Sequence, residues 1–334
     1  GLDNLAAATL GFYRQIGVEE VQVPARFNTN INLRPLVPPT QKKAAGPMSP
    51  AWDEDELQRI CDHVRGFELE PTAIGLPISG RILMGQEGRD EDLEDVIERI
   101  QMAGRVGFAV MTWNFTALRA SEGYAAQEGV GRGGAHLRDF DHARIRDLPP
   151  LDDVGRHEME AMWGRLEYCL QRIVPAAEAA GVRLAMHPND PPVPEYRGVA
   201  QPLWNLESMK RLIEVVDSPA NSLFFDTGVT TEYGEDAVEA IRYFGERDRI
   251  GIVHFRNVRV EQPYYKYTET FLDEGECDIV GCMRAFAEVG YEGGIDPDHT
   301  PGIVGDTEET QMGWAYAVGQ LRALRLAAYG GNSS

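Results

Sequence analysis

Residues 183–188 (RLAMHP), 222–228 (SLFFDTG), 250–257 (IGIVHFRN) and 293–299 (GGIDPDH) decide the fold. Each is an apolar run that stops at or beside a residue able to bind a metal: His187, Asp226, His254 and Asp298. These four lie 39, 28 and 44 residues apart. In an eight-stranded β/α barrel a strand arrives roughly every 31 residues, and the C-terminal strand ends converge on one mouth where the chemistry is done. Two imidazoles and two carboxylates at such a mouth suit a borderline-to-hard divalent cation with positions left open for substrate.

Outward from these runs, strand-like and helix-like stretches alternate, which argues for a parallel sheet. Residues 3–16 read as a helix with Asp3 or Asn4 as N-cap, followed by a strand in GVEEVQVP. DEDELQRICDHVR is an amphipathic helix and FELEPTAIG a strand. Leu93, Val96, Ile97 and Ile100 share one face of the next helix, and GFAVMTWNF is the strand after it. Only seven strands are found, and the first element is a helix. A closed (β/α)8 TIM barrel therefore requires one more strand, expected ahead of residue 1, the alternative being irregular closure. The reading is one domain over 1–334, with long loops near 28–52, 115–150 and 258–276. Loops of that length in a compact domain serve as lids or binding segments.

At 334 residues and 43% hydrophobic content the chain can bury a full core. A net charge of −21 argues against a nucleic-acid or anionic-membrane partner, so an anionic substrate needs a locally positive site. No apolar run approaches the length of a transmembrane helix, and GLDNLAAATL does not read as a secretory signal. Cys61, Cys169, Cys277 and Cys282 lack metal-finger or CxxC spacing and read as reduced thiols, which points to a cytoplasmic setting.

Each candidate also has a plainer explanation. A lone histidine at a strand end, such as His187, is more often structural than a ligand. Asp226 alone is a helix-capping aspartate. Their recurrence at successive strand ends favours a shared metal site. Asp296 competes with Asp298, which sits nearer the mouth. His299, adjoining a proposed ligand, suits general acid or base work. Arg256 shares a face with His254 and is expected to clamp a carboxylate, a surface salt bridge being the alternative. Trp113 and Asn114 end another strand and are candidate substrate contacts, although a tryptophan there also packs cores. GVGRGG is a weak phosphate-loop signal, and its Arg132 is placed on a lid facing the site.

At these residues the chain resembles the mannonate dehydratase family, metal-dependent lyases on a xylose-isomerase-like TIM barrel. The matching segments are GQEGRD, TWNF, GRGG, MHPNDPP, IVHFRNVR and IDPDH, spread over about residues 10 to 325. The resemblance implies His187, His254 and Asp298 as ligands and His299 as catalytic acid or base. It places Asp226 where the family usually has a cysteine ligand, which shifts the expected metal towards Mn²⁺, with Mg²⁺ or Fe²⁺ as alternatives. Ser79 stands where the family has histidine, and Asp296 where many members have arginine. Tyr316 is the approximate counterpart of the catalytic tyrosine.

The implied reaction dehydrates a sugar acid, D-mannonate, to 2-keto-3-deoxygluconate and water. Tyr316 takes the C2 proton and His299 protonates the departing C3 hydroxyl. A metal-dependent sugar isomerase or epimerase working through an enediolate is the second reading. A catalytically inactive carbohydrate-binding barrel is a third, opposed by the intact His187, His254, Asp298 and His299. The resemblance also implies a homo-oligomer.

Overall fold

A computed structural model describes residues 5–23, 48, 50–261 and 265–330. Seven strands form one parallel sheet: β1 (Glu20–Val23), β2 (Glu70–Gly75), β3 (Val110–Trp113), β4 (Arg183–Met186), β5 (Asn221–Asp226), β6 (Ile250–His254) and β7 (Ile295–Asp296). Their order in the sheet is their order in the chain, as β/α repeats dictate. All four residues of β3 and all six of β5 are buried. Helices cover the outer face and side chains fill the inner one, so these strands read as continuous apolar runs.

The sheet curls because its inner face packs on itself. Ala73, Val110, Ala185, Phe224 and Ile252, from five successive strands, form one buried cluster inside the barrel. The outer layer is built the same way. The helix Met159–Ala180 buries Met162, Trp163, Leu166, Leu170, Ile173 and Val174, the spacing of a single helical stripe. A fully buried aromatic such as Phe244 or Phe286 contributes about 1.5–3 kcal/mol by leaving water.

The expected eighth strand is not among the described residues. The outward edges of β1 and β7 are unpaired there and face each other across a cavity of about 170 Å³ lined by Tyr13, Val21, Ile252, Ile295, Trp314 and Leu321. The first helix is Ala7–Gln15 and follows Ala6, which gives no side-chain cap; the expected caps Asp3 and Asn4 lie outside the described residues. So does most of the segment near 28–52. No described helix is long and apolar enough to cross a membrane.

The two other long segments are ordered differently from the expectation. Tyr124–Gln127 and Leu137–Asp141, from one segment, join Asn257–Glu261 and Lys266–Thr270, from the other, in a four-stranded antiparallel sheet. The order is 257–261, 266–270, 137–141, 124–127. Asn257 anchors this layer: its amide bonds the carbonyls of Leu272 and Cys277 and accepts from the Cys277 N–H. Pairing of strands 266–270 and 137–141 in this layer brings Glu269 and Arg138 together beside His299. The GVGRGG segment, a weak phosphate-loop signal, forms a short 3-10 turn at Arg132–Gly134.

Candidate metal centre and active site

Side chains two apart on a strand share a face. His187, Asp226 and His254 each stand two residues beyond a barrel-lining residue: Ala185, Phe224 and Ile252. Their side chains therefore continue the inner face up to the mouth. Phe224 lies beneath both imidazoles, its ring centre 5.2 Å from that of His187 and 3.9 Å from that of His254.

Three potential ligand atoms converge. His187 Nε2 is 3.0 Å from His254 Nδ1 and 3.3 Å from Asp226 Oδ2, and His254 Nδ1 is 3.5 Å from the same oxygen. Ligands about 2.1 Å from a shared ion, at octahedral to tetrahedral angles, are roughly 3.0–3.4 Å apart. The triangle fits a divalent cation without rebuilding. His187 Nδ1 is 2.8 Å from the Pro188 carbonyl. That places the ring proton on Nδ1 and leaves the Nε2 lone pair aimed at the other two groups.

Asp226 is the sealed corner of the triangle. Its Oδ1 accepts from the Val229 N–H, capping the helix Thr227–Glu232, and its Oδ2 accepts from Arg256 Nε at 2.9 Å. Burial alone would raise its pKa, yet Arg256 and the two histidines hold it well below the usual carboxylate range. The reciprocal field raises His187 against the opposing effect of its burial.

Asp298 stands apart from this triangle. Its Oδ1 is 3.6 Å from His254 Nε2, on the other edge of that ring, and its Oδ2 is 3.0 Å from His299 Nε2. The residue has φ +63°, a costly backbone state for a residue with a Cβ. It is held by an N–H bond to Asp296 Oδ1 at 2.9 Å, so Asp296 is a brace for the turn. Burial opposes its ionisation, but His254 and His299 keep Asp298 well below its ordinary pKa.

His299 Nε2 touches both Asp298 Oδ2 and Arg138 Nη2, the latter at 3.1 Å, while Nδ1 is 3.5 Å from Glu269 Oε2. Protonated, Nε2 donates to Asp298; unprotonated, it accepts from Arg138. Burial lowers the His299 pKa, and Asp298 and Glu269 outweigh it to give a net rise.

Arg256 is placed where a substrate does not reach it. It is 3% exposed, with Nε on Asp226, Nη1 on Glu232 at 2.6 Å and Nη2 on Asp190 at 3.1 Å. Gly228 makes room for it, since a Cβ there would lie 2.7 Å from Arg256 Cγ. Its whole fork is committed to buried carboxylates, which a planar guanidinium does well.

Of the other residues read from the sequence, Trp113 is 4% exposed in the main core and Asn114 is half-buried beside it. Arg132 and Tyr316, from distant segments, meet: Arg132 Nη2 donates to the Tyr316 hydroxyl at 2.8 Å, and Nη1 pairs with Asp273 at 2.7 Å. Tyr316 and His299 line one small cavity behind the mouth. Ser79 is buried, capping the helix Gly80–Met84 and bonding Asp92.

Four further groups join the site beyond those the sequence points to: Arg138, Glu269, Asp190 and Tyr124. Asp190 lies within MHPNDPP, so its position directly after the strand end was a usable signal. Its Oδ1 accepts from the Tyr124 hydroxyl, and burial is outweighed by Arg256 and Tyr124, which lower its pKa.

The family profile for D-mannonate dehydratase (UxuA) matches residues 150–329, the span that holds His187, Asp226, His254, Asp298 and His299. The mannonate dehydratase of Streptococcus uberis is 26% identical over 313 residues, covering 84% of this chain and 90% of its own. That of Thermotoga petrophila is 28% identical over 319 residues, covering 83% and 88%. The crystal structure of mannonate dehydratase from Streptococcus suis serotype 2 superposes with TM-score 0.80 at 23% identity, over 97% of this chain and 90% of that one. A xylose isomerase domain protein from Planctomyces limnophilus gives TM-score 0.59 at 16% identity, over 96% and 93%. The fold is thus the xylose-isomerase-like TIM barrel, and the chain belongs to the D-mannonate dehydratase family of hydro-lyases.

Proposed function

We propose that this chain is a metal-dependent sugar-acid dehydratase acting on D-mannonate or a close stereoisomer. The observation that carries the reading is the convergence of His187 Nε2, Asp226 Oδ2 and His254 Nδ1 within 3.0–3.5 Å at the barrel mouth, in a chain of this family. Asp298 is assigned as the fourth ligand on the family pattern; its Oδ1 faces His254 Nε2 at 3.6 Å rather than the Nδ1 of the triangle, so it would reach the ion by a turn of its own side chain or of that ring. Two imidazoles and two carboxylates, with no thiolate, favour Mn²⁺ or Mg²⁺ over softer ions. His187, Asp226 and His254 would hold a divalent ion there, and that ion would supply Lewis-acid chemistry at the carboxylate end of the substrate.

The remaining work falls to the chain. Tyr316, oriented by Arg132, takes the C2 proton. His299 gives its Nε2 proton to the C3 hydroxyl as it departs, with Asp298 having held that proton beforehand. Arg256 is a positioning residue that fixes the Asp226 carboxylate from beneath. The layer of strands 124–127 and 137–141 carries Arg138 to His299 and Tyr124 to Asp190.

His299→Asn tests the role directly. Turnover of D-mannonate should fall by about 10²–10⁴-fold while bound metal per chain stays at the wild-type value. Loss of the metal in that variant would make His299 a ligand and overturn its assignment as the acid.

The departures at Asp226, Asp296 and Ser79 favour a second reading, metal-dependent isomerisation or epimerisation of a sugar. It predicts exchange of the proton alpha to the carbonyl without loss of water.

A further inference from the structure

We infer that Arg138 is a further catalytic residue, its guanidinium donating a hydrogen bond to the C3 oxygen of the sugar acid while His299 protonates that oxygen. The inference rests on the dehydratase reading and deepens it. Three observations carry it.

First, Arg138 occupies the right place. Its Nη2 is 3.1 Å from His299 Nε2, the nitrogen assigned to hold the proton. An oxygen receiving that proton lies about 3 Å from Nε2, and so within reach of the guanidinium as well. Second, the arginine is fixed before substrate arrives. Its Nε donates to Glu269 Oε2 at 2.7 Å, its Nη2 also pairs with Glu269, and its Cζ stacks 4.4 Å above the Tyr124 ring. Glu269 is itself 6% exposed, so this support does not wander. Third, a donor remains. The Nε–Nη2 edge is used by Glu269, whereas Nη1 has no hydrogen-bond partner among the described residues, and the side chain is 40% exposed. Arg256, the other arginine of the site, is sealed beneath it at 3%.

The step balances. The C2–H bond breaks and its electron pair forms the C2=C3 bond. The C3–O bond breaks with its pair staying on oxygen, and the His299 proton completes a water molecule. The enol left behind rearranges to the 2-keto-3-deoxy acid with no change of oxidation state. Negative charge grows on the C3 oxygen before the proton has fully moved. A preorganised cation aimed at that point stabilises the transition state most.

The test uses the Mn²⁺-loaded full chain carrying His299→Asn, so that ligand is not consumed, with and without Arg138→Met or Arg138→Lys. Calorimetry compares D-mannonate with its 3-deoxy analogue. Loss of a charged donor should weaken D-mannonate by about tenfold or more and leave the 3-deoxy analogue unchanged. Arg138→Lys keeps a cation beside Glu269, so it guards against a folding defect and should show a smaller loss in the same direction. Equal weakening of both ligands would place Arg138 on the carboxylate or elsewhere and overturn the inference, as would no weakening of either. Failure of D-mannonate to bind even without the Arg138 change would remove the sugar-acid reading itself.

Discussion

Arg256 Nε lies 2.9 Å from Asp226 Oδ2, and both side chains are buried within the barrel mouth. The carboxylate that completes the proposed metal triangle is therefore already charged and oriented by the protein. Removing one partner of such a pair leaves an uncompensated buried charge, at a cost of about 3–5 kcal/mol. Arg256→Leu would strand Asp226, Glu232 and Asp190 together. It should lower the thermal midpoint by several degrees and abolish stoichiometric metal binding. An unchanged melting curve would show that the network is not structural.

Asp226→Cys restores the ligand type usual in the family. A thiolate favours softer ions, so the variant incubated with equal Mn²⁺ and Zn²⁺ should take up a larger share of Zn²⁺ than the wild type, read by metal analysis. It also removes the Val229 cap, at about 1 kcal/mol, so a modest loss of stability accompanies the change. An unaltered metal ratio would mean that residue 226 does not touch the ion.

Glu232 has an unusual place in this network. It is fully buried, one of its oxygens, Oε2, has no hydrogen-bond partner among the described residues, and burial together with Asp190 and Asp226 pushes its pKa well above normal despite Arg256. The folded state thus holds this proton more tightly than the unfolded chain, whose Glu pKa is about 4.3. Its contribution to stability is full below that value and is lost as pH rises through the raised folded value. In chelator-treated protein, Glu232→Gln should flatten the decline in stability with rising pH, measured by denaturant midpoints across the range. A parallel decline in wild type and variant would remove Glu232 as its source.

Tyr316 is 38% exposed and joined to Arg132, Asp273 and Gln320. If it is the base, Tyr316→Phe should cut exchange of the C2 proton in D₂O by about 10²–10⁴-fold, with metal content unchanged. An exposed latch of this kind is worth at most about 1 kcal/mol, so stability should barely move. Normal exchange in the variant would leave Tyr316 as a latch for the Arg132 turn alone.

The sequence carried much of this site because its decisive signals are local. Period-two alternation puts Ala185 and His187, Phe224 and Asp226, and Ile252 and His254 on one face, and an apolar run shows where each strand stops. Long-range pairing is not written locally. Arg138 and Glu269 are 131 residues apart and meet only because two segments that look like loops pair as strands. Arg256 was legible as a neighbour of His254 on the chain. Its burial was not, since it depends on Asp190 and Glu232 arriving from other elements. Asp298 was legible as a carboxylate near a strand end, but its positive φ carries it past the strand to the far edge of His254.

The most direct test of the account is a proton NMR time course in D₂O. D-mannonate is offered to Mn²⁺-loaded protein and to the same protein stripped by chelator. The account predicts a 2-keto-3-deoxy acid appearing only with the loaded protein. Deuterium entering the sugar acid without loss of water, or product forming equally in the stripped protein, would contradict it.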